Sequence, residues 1–190
     1  EPIAGQATYT TAVQNLLIGI DSALTAAGRV VTAEALGGTG ALKIGADFLK
    51  RLNADAKVYI SDPSWENHRA LFESAGFTVE NYPYYDEATR GVNFEAMKAF
   101  LLGLDAGSVI VLHACCHNPT GADMSDAQWA EVVEACRSRG LVPFLDMAYQ
   151  GFADGIEPDA VAVRLFSASG LQFFVSSSFS KSFSLYGERV

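Results

Sequence analysis

The sequence VIVLHACCHNPTG at residues 109–121 joins a run of apolar residues to a polar turn. The apolar run predicts a buried strand that ends at His113, and the Asn-Pro-Thr-Gly that follows predicts a loop. A helix capped by Ser125 and closed by Gly140 is predicted next. A second apolar run, LVPFLD at 141–146, predicts another buried strand. Two strands separated by a helix indicate a parallel strand–helix–strand unit.

The same alternation of short apolar runs and longer helical stretches extends towards both ends of the chain. Further strands are predicted at 30–33, 57–60, 77–79 and 173–176, and further helices at 41–52, 65–74 and 94–102. Because parallel strands need long crossover connections, the pattern predicts an α/β fold with three layers, α/β/α, around a mostly parallel sheet. A chain of 190 residues is long enough to bury one sizeable core.

Composition excludes several classes of protein. With 49% hydrophobic residues the chain is not disordered, and its net charge of −9, with scattered basic residues, argues against nucleic acid and anionic membranes as partners. No apolar run approaches the roughly 20 residues that a membrane-spanning helix needs. The three cysteines, Cys115, Cys116 and Cys136, are an odd number that includes an adjacent pair. This usage fits a reduced, cytoplasmic protein.

The residues with useful chemistry follow the predicted strands. In open α/β sheets, ligands bind beyond the carboxyl ends of the strands. Five such ends carry candidate residues, which are Gly38 with Thr39, Trp65, Asn118, Asp146 and Lys181. We therefore expect one crevice that brings these five ends together.

The sequence GGTG at residues 37–40 opens a predicted helix. Free backbone N–H groups at the positive end of a helix dipole suit a phosphate group, although a glycine turn without a ligand is an equal alternative. Gly38 and Gly40 also resemble the start of a dinucleotide-binding fingerprint, with Asp62 downstream for a ribose. The place of the third glycine is taken by Lys43, so the nucleotide alternative is the weaker one.

Lys181 follows an apolar strand rather than a charged run, and loss of solvation there favours a neutral amine that can attack a carbonyl. Asp146 ends a buried strand with no lysine or arginine beside it in sequence, which fits a cationic ligand. Tyr149 can present a phenol to the same crevice. A Schiff-base lysine, an acid facing a pyridinium nitrogen and a phosphate-binding turn together describe pyridoxal phosphate. Taken singly, a surface lysine and a capping aspartate remain the alternatives.

Two further side chains and one cluster have both a functional and a structural interpretation. Arg189 could clamp a phosphate or carboxylate, and Trp65 could stack on a flat ring or simply pack. Four residues that are close in sequence are of the types that bind zinc: His113, Cys115, Cys116 and His117. Residues so close together cannot easily form one tetrahedral site, so no metal is predicted.

Five segments, in order and with matching spacing, resemble the fold-type I, class I aminotransferases of the aspartate and aromatic amino acid subgroup. They are GGTGAL at 37–42, DPSWENH at 62–68, HACCHNPTG at 113–121, DMAYQGF at 146–152 and SFSKSFSLYGERV at 178–190. The nucleotide alternative does not explain the last two. Three other segments, at 45–51, 82–89 and 182–189, look more like the aromatic (tyrosine) enzymes than the aspartate enzymes.

The resemblance implies a role for each matching residue around pyridoxal 5'-phosphate. Lys181 would hold the cofactor as a Schiff base and then move a proton during catalysis. Asp146 would pair with the pyridine nitrogen, while Asn118 and Tyr149 would hydrogen-bond the ring hydroxyl. The catalytic residues implied are therefore Lys181, Asp146 and Tyr149.

The other implied contacts surround these residues. Trp65 would stack on the ring and, with Asn118, border the substrate, while His68 and His113 would support the ring contacts from behind. The phosphate would be held by Gly38, Thr39, Ser178 and Arg189.

The resemblance also implies the reaction and the setting. We expect transamination of aromatic L-amino acids with 2-oxoglutarate by a cytoplasmic enzyme that is a homodimer at full length. Aspartate transamination is the alternative within the family, and a nucleotide-binding module or a non-catalytic fragment are the alternatives outside it. Since family members are about twice this long, residues 1–190 are expected to be the central part of the cofactor-binding large domain. The N-terminal segment and C-terminal small domain would then be absent, and these residues alone are not expected to turn over substrate.

Overall fold

The fold was determined as a computed structural model that describes residues 2–190. Its main sheet has five parallel strands in the order β2-β1-β5-β6-β7. These strands are β1 (Lys57–Asp62), β2 (Thr78–Pro83), β5 (Val109–His113), β6 (Val142–Met147) and β7 (Phe174–Ser177). Between β2 and β5 along the chain, β3 (Tyr85–Asp86) and β4 (Gly91–Val92) form a separate antiparallel pair.

Helices cover both faces of the sheet, which confirms the predicted three-layer α/β/α fold. They are α1 (Ala7–Ile18), α2 (Ala23–Ala26), α3 (Gly37–Leu52), α4 (Glu66–Ser74), α5 (Phe94–Leu102), α6 (Asp126–Arg139) and α7 (Val161–Ala168). Short 3₁₀ turns lie at Pro158–Ala160 and Tyr186–Glu188. No helix within residues 2–190 is both long and apolar enough to cross a bilayer.

The strands are buried on both faces because their side chains alternate between two cores. In β5, Val109 and Val111 pack with α3 and α4, whereas Ile110 and Leu112 pack with the helices of the opposite face. All five residues of β5 are buried. A continuous apolar run is the expected sequence of a parallel strand in such a position.

The helix that connects β5 to β6 begins with the predicted cap. The Ser125 hydroxyl accepts a hydrogen bond from the Gln128 N–H at 3.3 Å, and the Gln128 side chain accepts one from the Ser125 N–H at 2.9 Å. Gly140, at the other end, adopts the left-handed conformation with φ 64°. The two reciprocal hydrogen bonds satisfy two free N–H donors at the start of the helix. The left-handed Gly140 ends the helix where the sequence predicts.

The strand predicted at 30–33 is wrong. This segment is extended but has no strand pairing, and Val31 is 94% exposed. It lies along a cavity of about 400 Å³ that β7 and α1 also line. A β-branched run favours extended backbone, but a strand also needs a hydrogen-bonding neighbour. The helices α1, α2 and α7 and the β3–β4 pair were not predicted from the sequence.

The connections of the sheet create one crevice. From β1 the chain passes to β2 on one side, and it then returns to form β5 on the other side of β1. Connections that leave two neighbouring strands in opposite directions open a gap at their carboxyl ends. The gap between β1 and β5 is therefore the expected place for a ligand.

Candidate active site

A cavity of about 230 Å³ lies beyond the carboxyl ends of the strands. It brings together every residue that the sequence analysis assigned to cofactor binding. These residues are Gly38, Thr39, Trp65, Asn118, Asp146, Tyr149, Ser178, Lys181 and Arg189. Four of the five predicted strand ends, those of β1, β5, β6 and β7, converge there, whereas Gly38 and Thr39 come from the first turn of α3 and follow no strand. The larger 400 Å³ cavity beside β7 contains none of the nine.

Asp146 is the acid of this cavity, at 5% exposure near the end of β6. Its Oδ2 lies 2.8 Å from Nε2 of His68, which is fully buried. The other ring nitrogen of His68 lies 3.0 Å from the Ser64 hydroxyl. Among residues 2–190, no lysine or arginine comes within ion-pair distance of Asp146. A buried carboxylate supported in this way keeps a free oxygen for a cationic partner.

His113 lies opposite Asp146 in the register of β5 and β6. Its ring is 4.7 Å from that of His68 and 4.3 Å from that of His117, and neither of its buried nitrogens has a hydrogen-bond partner in the described chain. Burial lowers the pKa of the His113 imidazole well below its usual range, and the two neighbouring histidines lower it further. The side chain is therefore a neutral group at neutral pH with unused hydrogen-bonding capacity in the cavity wall.

Lys181 approaches the cavity from the loop after β7. Its Nζ lies over the ring of Tyr149, 4.9 Å from the ring centroid, and 5.8 Å from the centroid of Tyr186. Among the described residues no acid forms an ion pair with this amine. The amine therefore lies beside two aromatic rings, in the same cavity that Asp146 lines.

The opposite end of the cavity suits an anion. Gly38 and Thr39 in the first turn of α3 line the cavity together with Arg189, and the beginning of a helix attracts anions. A Cβ at Gly38 would lie 3.1 Å from the Ser178 Cβ, and one at Gly37 would lie 2.8 Å from Nη2 of Arg189. The two glycines therefore allow the helix to approach both polar side chains closely.

Asn118 is presented by a tight turn after β5. Both carboxylate oxygens of Asp123 hold this turn, since one accepts the Cys116 N–H at 2.6 Å and the other accepts the His117 N–H at 2.8 Å. Cys116 adopts a left-handed backbone with φ 50°. The two hydrogen bonds stabilise a conformation that non-glycine residues seldom adopt.

His117 fixes the same turn from inside the protein. Its ring stacks on Tyr84 at 3.9 Å, its Nε2 lies 2.9 Å from the Ser61 hydroxyl and its Nδ1 lies 2.8 Å from the Thr120 hydroxyl. Burial, followed by the nearby His68, lowers the pKa of His117 to about 4. The ring is neutral at neutral pH and orients the turn through uncharged contacts.

The sequence analysis missed the residues that support the site from behind. Only Asp123 had a local signal, because an aspartate shortly after a turn often accepts backbone N–H groups. Ser61 and Tyr84 contact His117 across long sequence separations that no local pattern reveals. Ser64 and Thr120 contact histidines that are close in sequence, but neither was assigned to the site. The missed residues are Ser61, Ser64, Tyr84, Thr120 and Asp123.

The residues considered for zinc do not form one cluster in the described chain. His113 groups with His68 and Asp146, whereas Cys115 and Cys116 group with Asp159. His113, at the end of β5, and the two cysteines that follow it therefore belong to separate groups of side chains.

Comparison with known proteins gives a consistent result. The family model described as aminotransferase class I and II matches residues 1–190. An aspartate aminotransferase of Pseudomonas aeruginosa is 66% identical over 189 residues, which is 100% of this chain and 48% of that protein. An aromatic-amino-acid aminotransferase of Escherichia coli is 54% identical, with the same shares covered.

A solved structure agrees with the sequence matches. The aromatic-amino-acid aminotransferase of Burkholderia pseudomallei, a crystal structure covalently bound to pyridoxal phosphate, superposes with a TM-score of 0.98 at 70% identity. The match covers 100% of this chain and 47% of that one. The chain thus spans about half the length of the relatives it matches. It belongs to the class I and II aminotransferase family.

Proposed function

We propose that this chain provides the pyridoxal 5'-phosphate site of an aminotransferase that moves the amino group of aromatic L-amino acids to 2-oxoglutarate. The observation that carries the proposal is the single cavity that holds an amine, a buried acid and an anion-binding helix end together. These are the three groups that the cofactor requires, since it has an aldehyde, a basic ring nitrogen and a phosphate.

The residues fit the cofactor at each of these groups. Asp146 is buried without a lysine or arginine partner among the described residues, which suits a protonated ring nitrogen. Gly38 lies so close to Ser178 that a side chain at this position would crowd the proposed phosphate site. The unpartnered nitrogens of His113 offer a further polar contact near the ring.

When it is bound, pyridoxal phosphate links covalently to an amine and withdraws electrons from the substrate α-carbon. The proposed role of Lys181 is to bond the cofactor through Nζ, and then to carry a proton to and from that carbon. Asp146 would accept the hydrogen bond of the ring nitrogen and favour its charged form, while His68 keeps the carboxylate oriented. Tyr149 and Asn118 would donate hydrogen bonds to the ring hydroxyl.

The remaining residues bind and shield. Trp65 packs edge-to-face on His68, with centroids 5.4 Å apart, and so places its indole at the cavity wall. There we propose that it covers the ring, excludes water and borders the substrate together with Asn118. Thr39, Ser178 and Arg189 bind the phosphate, with the dipole of α3 adding to the attraction.

Substrate preference is proposed from the subgroup resemblance. Both an aspartate aminotransferase and an aromatic-amino-acid aminotransferase match the chain, which keeps aspartate as the alternative amino donor. We propose aromatic donors because three segments of the sequence, at 45–51, 82–89 and 182–189, look most like the aromatic enzymes.

We also propose the setting of this function. Residues 1–190 are taken as the central part of the cofactor-binding domain of a longer protein, because relatives are about twice as long. We propose a homodimer in the cytoplasm. The three free thiols are consistent with that reducing compartment.

Borohydride reduction of the full-length protein tests the proposal. Reduction fixes an aldehyde cofactor on its lysine as a stable secondary amine, so peptide mass mapping should place a phosphopyridoxyl group on Lys181. Lys181→Ala should abolish both the adduct and amino transfer. Initial rates with tyrosine and with aspartate, each against 2-oxoglutarate, should give the higher kcat/KM for tyrosine.

Lys50→Ala provides the matched control, because this lysine lies on α3 over Phe77 rather than in the cavity. An adduct on another lysine, or one that survives Lys181→Ala, would refute the assignment. Binding of nicotinamide or adenine nucleotides that is unaffected by Lys181→Ala would favour the nucleotide alternative. A faster reaction with aspartate would refute only the aromatic preference.

A further inference from the structure

A pair of adjacent thiols lies outside the proposed cofactor contacts. Cys115 and Cys116 follow β5, and their sulfur atoms lie within 4.8 Å of one another and of a carboxylate oxygen of Asp159. The left-handed backbone of Cys116, φ 50°, is part of the turn that carries both side chains. The proposed function gives these two thiols no role.

A third sulfur completes the group. Sδ of Met147 lies 3.5 Å from Sγ of Cys115, and Sγ of Cys116 lies 3.8 Å from the backbone oxygen of Tyr149. Cys115 therefore has a second sulfur within 4.8 Å and a third at 3.5 Å, and sulfur donors prefer soft metal ions to hard ones. Access exists from two sides, because Cys115 lines a cavity of about 360 Å³ and Cys116 is half-buried.

A metal ion suits this pair better than a disulfide does. Consecutive Cα atoms are about 3.8 Å apart, whereas disulfides usually span about 4.4–6.8 Å between Cα atoms. One ion between the two sulfurs does not require that larger Cα separation.

We propose that Cys115 and Cys116 form a two-thiolate site for a soft divalent metal ion, with Met147 as a third soft ligand. Binding forms two metal–sulfur bonds and releases two protons to solvent, with no change of oxidation state. The product, a dication with two thiolates, carries no net charge.

A divalent ion fits this site better than a monovalent ion, because its complex with two thiolates carries no net charge. Asp159 is buried beside the thiols, and Asp123 holds the same turn. A monovalent ion would leave a net negative centre among these carboxylates, which a low-dielectric setting disfavours. The carboxylate of Asp159 already accepts hydrogen bonds from three backbone N–H groups, those of Gly151, Ala153 and Asp154. Asp159 is therefore a neighbour of the proposed ion and not one of its ligands.

Cadmium ion is the probe for this site in the reduced full-length protein. Cd²⁺ bound to thiolates absorbs in the ultraviolet by charge transfer, and the band grows with the number of thiolates. We expect one ion per chain, two thiolates per ion and a release of two protons. Cys116→Ser should weaken Cd²⁺ binding by at least about 100-fold, and Met147→Leu, which retains the volume, by about 10-fold.

Cys136→Ser is the matched control, since Cys136 is a buried thiol on α6, outside the cluster. It should leave the band and the affinity unchanged. Folding of each variant is checked by circular dichroism, and Cys116→Ser changes the less buried position, so the test does not depend on Cys115→Ser. A band that survives Cys116→Ser, one that is lost in Cys136→Ser, or equal competition by Mg²⁺ would overturn the proposal.

Discussion

Nε2 of His68 lies 2.8 Å from Oδ2 of Asp146, and the two side chains are buried at 0% and 5% exposure. They come from different layers, since His68 is on α4 and Asp146 is on β6. The contact connects the end of a central strand to the helix that follows β1. The contact therefore joins Asp146 to α4, the helix that connects β1 to β2.

Replacement of His68 by leucine should destabilise the protein. The change leaves a buried carboxylate oxygen without its donor, which costs about 1–3 kcal/mol of unfolding free energy. Urea unfolding of the full-length protein at neutral pH, followed by circular dichroism, measures the loss. Ser64→Ala removes only the contact at the other ring nitrogen and should have a smaller effect. Equal stability of His68→Leu and the parent would show that the contact contributes nothing.

Stability should fall as the pH falls from 7 to 5, in part because of His117. Its pKa is about 4 when folded, below the usual 6.5 of the unfolded chain. The unfolded state therefore binds the proton first, so the stability is complete above pH 6.5 and is lost between pH 6.5 and 4. Linkage gives a loss of about 2 kcal/mol by pH 5. Urea unfolding at both pH values provides the measurement.

His117→Asn separates this effect from other groups, because it removes the titrating ring. The difference between pH 7 and pH 5 should shrink by about 2 kcal/mol in the variant. Part of the pH dependence should remain, since His113 has a pKa lowered in the same direction. An unchanged difference would assign the pH dependence to other residues.

Gly38→Ala should weaken binding of pyridoxal phosphate. The new Cβ would lie 3.1 Å from the Ser178 Cβ, so the start of α3 and the serine must move apart at the anion-binding end. A loss of about tenfold in affinity, or about 1.4 kcal/mol, is expected. Absorbance titration of the apo full-length protein gives the Kd. Gly187→Ala is the control, since nothing lies within 4 Å of its added Cβ.

Asp123→Ala should loosen the turn that carries Asn118. Loss of both carboxylate oxygens frees the N–H groups of Cys116 and His117, which then exchange with solvent. Hydrogen exchange of a peptide that covers residues 114–122 should become faster by at least tenfold. Asp126→Ala, an exposed position at the start of α6, should leave exchange in this peptide unchanged.

Local sequence patterns predicted much of the fold, because the relevant forces are local. The apolar run of β5 and the capping box of Ser125 depend on neighbours within four residues, and both appear as predicted. The strand expected at 30–33 fails because pairing depends on a partner that is distant in sequence. Helix α1 was missed because its apolar residues do not concentrate on one side of the helix.

In the candidate site, the lining residues could be predicted from the sequence and the contacts that support them could not. Apart from Gly38 and Thr39 on α3, its predicted lining residues follow or end strands, and the topology of a parallel sheet brings the carboxyl ends of those strands together. The supporting contacts were not predictable, because Ser61 and His117 are 56 residues apart and His68 and Asp146 are 78 apart. Such pairs are fixed by packing, which a local pattern does not encode.

The free side of β7 has a consequence for handling the protein. This strand pairs with β6 alone in the described chain, and the opposite side faces the apolar cavity and the unpaired segment at 30–33. Backbone donors and acceptors on such a margin recruit foreign chains and seed aggregates. A polypeptide limited to these 190 residues is therefore predisposed to intermolecular strand addition during refolding, and precipitation should begin at β7.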